Sequence, residues 1–125
     1  MQKISVLLDS SFILTCAKQK VDFFDYLEKE GIEILIPSQV INEIERISEK
    51  GSGRNNKYAK ISLLLLKNSK FKKIDLIGKN VDNAIINFAK QNPDLLIATL
   101  DKEIQKKTRN KKLIIRGKKK LEIKK

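Results

Sequence analysis

The sequence predicts an α/β fold on a mainly parallel sheet, and three observations carry that prediction. Short, β-branched apolar runs of strand length recur along the chain. They are nearly unbroken in apolar character, as expected of strands covered on both faces. Stretches with helical apolar spacing separate them, and such alternation favours parallel strands joined by right-handed crossovers with helices on both sides. At 125 residues and 41% hydrophobic content, the chain fits one globular domain spanning 1–125.

The elements follow in order. "KISVLL", residues 3–8, reads as the first strand, and a helix follows it. "VDFFDYLEKEG", 21–31, continues the helical spacing through Val21, Phe24 and Leu27 and closes on Gly31, a C-cap residue. "IEILI", 32–36, is a second strand stopped by Pro37. "PSQVINEIERISEKG" starts with a proline or serine helix signal and sets Val40, Ile44 and Ile47 on one stripe. "GSGRNN", 51–56, reads as a flexible loop before an apolar helix around "YAKISLLLLKN". A short strand near "KKIDLI" leads to "NVDNAIINFAKQN", capped by Asn80 with Val81, Ala84, Ile85 and Phe88 on one face. "DLLIATL", 94–100, is another buried strand, "DKEIQKKTRN" a short helix, and "KLIIRG" the last strand.

Composition removes whole classes of chemistry. The chain has no histidine, which excludes serine triads, HExxH zinc sites and histidine acid-base ribonucleases. Its one cysteine, Cys16, allows neither an internal disulfide nor a cysteine zinc cage and fits an intracellular setting. The apolar runs fall short of the roughly 20 residues that cross a bilayer, and the chain opens with no leader pattern, so a cytoplasmic location without a membrane is expected. The net charge is +12, yet residues 102–125 hold 12 basic and 2 acidic residues. That basic C-terminal segment suits a polyanion, nucleic acid first; a lysine-rich solvated surface is the plainer reading.

Hydrolysis here would rest on carboxylates. Ligands of an open parallel sheet bind where strands end and helices begin. Asp9 ends the first strand, Asp101 lies just past "LLIAT", Asp82 starts a helix, and Glu43 is in the second turn of the helix after the second strand. Asp94 precedes its strand and Asp75 lies within one, so neither is expected on that edge. Each acid also has a purely structural reading. Asp9 and Asp101 suit helix caps and Asp82 complements a helix dipole. Glu43 borders the Val40–Ile47 stripe, where a carboxylate is costly unless paired or bound to metal. Four carboxylates brought together would take up protons unless a cation held them. Oxygen-only ligands favour Mg²⁺ or Mn²⁺, which lowers the pKa of a bound water and stabilises charge developing on a phosphodiester.

With these residues in place, the sequence resembles the PIN-domain nucleases. "VLLDSSFIL" is similar to that family's opening strand, "PSQVINEI" to its proline, apolar residue and acid, "NVDNAIINFA" to its third acid block and "LLIATLDKEI" to its fourth. "LIIRGKKKLE" resembles the archaeal branch, near rRNA-processing and VapC-toxin-like members. The resemblance implies a three-layer α/β/α fold and RNA cut at an Mg²⁺- or Mn²⁺-dependent site. It implies Asp9, Glu43, Asp82 and Asp101 as catalytic and metal-binding residues, with Asp9 and Asp101 in direct contact and Glu43 and Asp82 ordering waters or a second ion. Ser11 or Thr99 would orient a carboxylate or water; many members carry Asn where Ser11 stands. Phosphate contacts are expected from Lys106, Lys107, Arg109, Lys111, Lys112, Arg116, Lys118, Lys119 and Lys120. With 6% aromatic residues, a base-stacking platform is not evident.

The expected function is a metal-dependent endoribonuclease, of rRNA-processing or toxin type. The expected partners are RNA, an antitoxin or ribosome-assembly protein, and a second copy of the chain. A catalytically silent RNA-binding module and a plain basic interaction protein are the competing readings. The silent module would keep the basic segment while tolerating loss of any acid.

Overall fold

The computed structural model describes residues 3–50, 53–117 and 119–124. Its elements are β1 (Ser5–Leu8), α1 (Ser10–Gln19), α2 (Phe23–Lys29), β2 (Glu33–Pro37), α3 (Ser38–Glu49), α4 (Arg54–Lys67), β3 (Lys72–Ile74), α5 (Val81–Gln91), β4 (Leu96–Ala98), α6 (Lys102–Lys107), β5 (Lys112–Arg116) and β6 (Lys120–Lys124). The strands form one six-stranded sheet in the order β3-β2-β1-β4-β5-β6, parallel throughout except for the antiparallel β5–β6 hairpin. The expected α/β class and mainly parallel sheet are what the chain adopts.

Successive strand residues alternate between two cores. Val6, Leu8, Ile34, Ile36, Leu96, Ala98 and Leu113 face one side, against Phe12, Ile13, Phe23, Leu27, Val40 and Ile44 from α1, α2 and α3. Leu7, Leu35 and Ile97 face the other, against Ala84, Ile85, Ala89 and Ile104 from α5 and α6. Both faces of β1, β2 and β4 are therefore buried, which is why these strands read as unbroken apolar runs. The result is the three-layer α/β/α arrangement.

The structure corrects several sequence expectations. The first helical region is two helices: α1 ends at Lys20 in the left-handed conformation (φ 59°), and Asp22 starts α2 by accepting from the Asp25 N–H at 3.0 Å. Gly31 follows α2 at φ 69°, a conformation open to glycine at no steric cost. Gly51 and Ser52 of the expected loop lie outside the described residues, but Arg54–Asn56 form the first turn of α4. There the Asn56 amide donates to the Ser48 carbonyl and ties α4 to α3.

β3 ends at Ile74, level with Pro37 of β2, so Asp75 lies beyond it on the carboxyl edge and accepts from the Ser38 hydroxyl. Asp75 was expected off that edge. The strand stops early because a side chain replaces its neighbour: Gln39 donates from Nε2 to the Leu76 carbonyl at 2.7 Å and accepts from the Leu76 N–H at 3.3 Å. Beyond this clamp Ile77 is 93% exposed, in the loop leading to α5.

β6 is the element that the sequence reading lacked. Its register places Leu113 against Ile123 and Ile115 against Leu121, with Leu113, Ile115 and Leu121 in the first core. The other face pairs Lys112 with Lys124, Ile114 with Glu122 and Arg116 with Lys120. Among the described residues no helix is long and apolar enough to cross a membrane.

Candidate active site

Parallel strands end together, so the loops after β1, β2 and β4 converge on one edge. Asp9 follows β1, donating its N–H to the Ala98 carbonyl at 2.9 Å, and is 5% exposed. One of its oxygens accepts from the Ser10 N–H at 2.8 Å, making Asp9 the cap of α1. The other accepts from the Thr99 hydroxyl at 2.6 Å and from the Ser11 hydroxyl at 3.3 Å. Burial pushes this carboxyl above the ordinary Asp range; the bonds from Thr99 and Ser10 oppose the rise, and the Glu43 and Asp82 charges add to it.

Thr99 is itself fixed. Its Oγ1 accepts from the Asp101 N–H at 3.1 Å and its carbonyl accepts from Gln105 Nε2 at 2.8 Å. The Ser11 hydroxyl accepts from the Leu100 N–H at 3.1 Å, so α1 and the loop after β4 are laced together around Asp9. Asp101 caps α6 through Oδ1, which accepts from Glu103 and Ile104 N–H at 2.8 and 3.3 Å. Those bonds engage one oxygen and leave the other open.

Glu43 is exposed, whereas the sequence reading set it on the edge of the apolar stripe instead of facing water. It neighbours Ile44, but its side chain leaves the core toward the open end of the sheet, where the Ser10 hydroxyl donates to it at 2.7 Å. Asp82 lies exposed in the first turn of α5, and its carboxyl is raised by partial burial and then by the Asp101 and Glu43 charges. Asp9, Ser10, Ser11, Glu43, Asp82, Leu100 and Asp101 line one cleft. The four acids thus share a cleft with no lysine or arginine in its lining among the described residues. Among the described residues, no three carboxylate, imidazole or thiol groups stand close enough together to grip one ion by themselves. The oxygen-only donor set is of the kind a hydrated divalent cation takes, since Mg²⁺ needs only one or two carboxylates directly and keeps several waters.

Ser10, Gln105 and Leu100 escaped the sequence reading. The first was visible as the other hydroxyl of "DSS", but nothing in the sequence marked Gln105 or Leu100. Asp94 precedes β4 and stands off the acidic edge, as expected, sharing a surface depression with Lys3 and Lys111.

The basic segment is divided by the fold. Lys106 and Lys107 are exposed on the last turn of α6, and Arg109 and Lys111 are exposed before β5, all toward the amino edge. Lys112 is half-buried, donating to the Thr108 and Asn110 carbonyls, and burial lowers its pKa. Arg116 pairs with Glu122, while Lys119 and Lys120 are exposed at the hairpin end nearer the acidic edge; Lys118 lies outside the described residues.

A mainly parallel α/β/α sheet with an acidic cleft at its carboxyl edge agrees with the PIN-like class that the sequence resembles. The match is direct: the model of the PIN like domain covers residues 6–118, and the chain belongs to that family. The chain is 29% identical over 124 residues to Ribonuclease VapC4 of Methanocaldococcus jannaschii, across 94% of this chain and 95% of that protein. The structure of the PIN domain endonuclease Utp24 superposes with a TM-score of 0.76 at 24% identity, over 95% of this chain and 90% of that one. VapBC2 from Rickettsia felis, solved bound to a DNA fragment from its promoter, gives 0.61 at 16% identity, over 87% of this chain and 98% of that one. These two likenesses establish a shared fold.

Proposed function

We propose that this chain is a metal-dependent endoribonuclease that hydrolyses RNA phosphodiesters. The observation that carries the proposal is the meeting of Asp9, Glu43, Asp82 and Asp101 in one cleft that no cation lines among the described residues. A protein with no ligand for these acids has no physical reason to crowd them, because the neighbouring charges add to the raised proton affinity of Asp9 and Asp82. The kinship with a ribonuclease and the PIN-like membership support RNA as the substrate.

In this reading Asp9 and Asp101 would hold Mg²⁺ or Mn²⁺, the helix cap of Asp101 engaging Oδ1. A bound divalent ion supplies Lewis acidity, which lowers the pKa of a coordinated water and offsets charge on the phosphodiester. Thr99 and Ser11 hold the Asp9 carboxylate in one orientation, and Ser10 does the same for Glu43. Glu43 and Asp82 order waters on the outer side of the cleft or hold a second ion. The chain acts in the cytoplasm, with an antitoxin or a ribosome-assembly protein as its partner and a second copy as a dimer mate.

Mn²⁺ binding by calorimetry, paired with RNA cleavage, tests the reading in wild type, Asp9→Asn and Asp101→Asn. Binding in the wild type, abolished with cleavage by either substitution, is the expected result. A wild type that binds no Mn²⁺ and cuts no RNA would leave a silent RNA-binding module as the better assignment.

A further inference from the structure

The β5–β6 hairpin carries an arrangement that the acidic cleft does not explain. Its inner face is apolar, and along its outer face Lys112 stands opposite Lys124 and Arg116 opposite Lys120. Like charges directly opposed on adjacent strands repel, and here they recur at both ends of one ribbon. Glu122 is the single acid of that face, and it is drawn into a pair with Arg116 at one end. Lys112 and Lys124 at the other end make no ion pair among the described residues.

The amino-edge end is also a built groove. Gln105, Thr108, Arg109, Asn110, Lys112 and Lys124 line it. Its floor is rigid, because the buried Asn110 amide donates to the carbonyls of Ala89, Asn92 and Leu95 at 3.2, 2.9 and 2.9 Å. Thr108 donates to the Ile104 carbonyl at 2.8 Å, fixing the end of α6. Arg109 is thereby presented to solvent from a loop whose backbone is held on both sides. Such preorganisation reduces the ordering cost of binding.

From this we infer that the outer face of the β5–β6 hairpin, with the Arg109 groove, is a phosphate-binding track that holds an RNA strand leading to the acidic cleft. The occupant follows from charge complementarity, with cations spaced along a ribbon and no aromatic residue on its outer face. That the polyanion is RNA rests on the ribonuclease reading. The groove and the cleft meet through Gln105, which lines the groove and donates to the carbonyl of Thr99, whose hydroxyl holds Asp9.

The test is binding of a fluorescein-labelled 20-nucleotide RNA, followed by anisotropy in EDTA across a salt titration, so that no cleavage is required. Arg109→Gln combined with Lys124→Gln should weaken binding about tenfold and flatten the salt slope by about 1.4, at ~0.7 for each single-strand phosphate no longer neutralised. Lys60→Gln with Lys67→Gln, on exposed positions of α4, removes the same net charge and should change binding less than twofold. Glu122→Gln should tighten binding, an effect that misfolding cannot mimic. Equal weakening by both double variants, or no tightening by Glu122→Gln, would overturn the track. Failure of the ribonuclease reading would instead appear as absent cleavage with Mn²⁺ while these binding differences persisted.

Discussion

Thr99 shows how much of the site rests on side chains that do no chemistry. It is 2% exposed and donates to a carboxylate that is itself buried. Thr99→Val keeps the shape and removes the hydroxyl, leaving an Asp9 oxygen to Ser11 alone. We expect a 10- to 100-fold loss of cleavage, the usual effect of removing a group that orients a metal ligand, with recovery in Thr99→Ser. Kinetics on the three proteins check this. Asp9 and Asp101 were legible because each ends an apolar run, and a strand end fixes where the next side chain points. Asp75 was misjudged on the same rule, since β3 stops at Ile74 and only the folded Gln39 clamp reveals it. The exposure of Glu43 was equally hidden, because a helical stripe tells which residues face the core and not how far its border opens to solvent.

Helix α3 links the core to the cleft. Val40 and Ile44 are fully buried, and the intervening turn carries Glu43 to the Ser10 hydroxyl. Ile44→Ala should cost about 2–5 kcal/mol of stability, measured by urea unfolding, and should lower cleavage at temperatures well below the melting point by loosening Glu43. The helices and inner strands could be read from the sequence because each has a dominant apolar period. β6 could not: its exposed face is Lys120, Glu122 and Lys124, only Leu121 of its residues joins the core, and it is itself the sheet edge, paired only with the strand just before it. The Leu121 and Ile123 alternation after Gly117 was the available signal, masked by the charge around it.

At the scale of the whole molecule, protons and a bound cation compete for the same carboxylates. Asp9 and Asp82 are both raised above the usual Asp range. A carboxyl whose folded pKa exceeds its unfolded value adds stability below the unfolded pKa and loses it as pH rises through the folded one. In EDTA, therefore, stability should fall over that window, and Asp9→Asn should flatten the fall, as thermal melts between pH 4 and 7 would report. Under the proposed function a metal would reverse the trend. Mn²⁺ would compete with those protons, so its affinity should weaken on acidification before ordinary carboxylates titrate. At a hundred times its Kd it should add about 2.7 kcal/mol of stability near neutrality.

The Gln39 clamp bears on how this fold tolerates change. By giving Leu76 both of the backbone bonds that a neighbouring strand would supply, it closes the sheet edge before the chain turns toward α5. Asn80 then restarts the chain as a capped helix, its side chain accepting from the Asn83 N–H at 3.0 Å. The stretch between these two anchors, with Ile77 fully in solvent, is bounded by fixed points. Segments grafted there would lengthen the molecule beside its cleft without disturbing the spacing of the acids, since added loop length costs little once both ends are held.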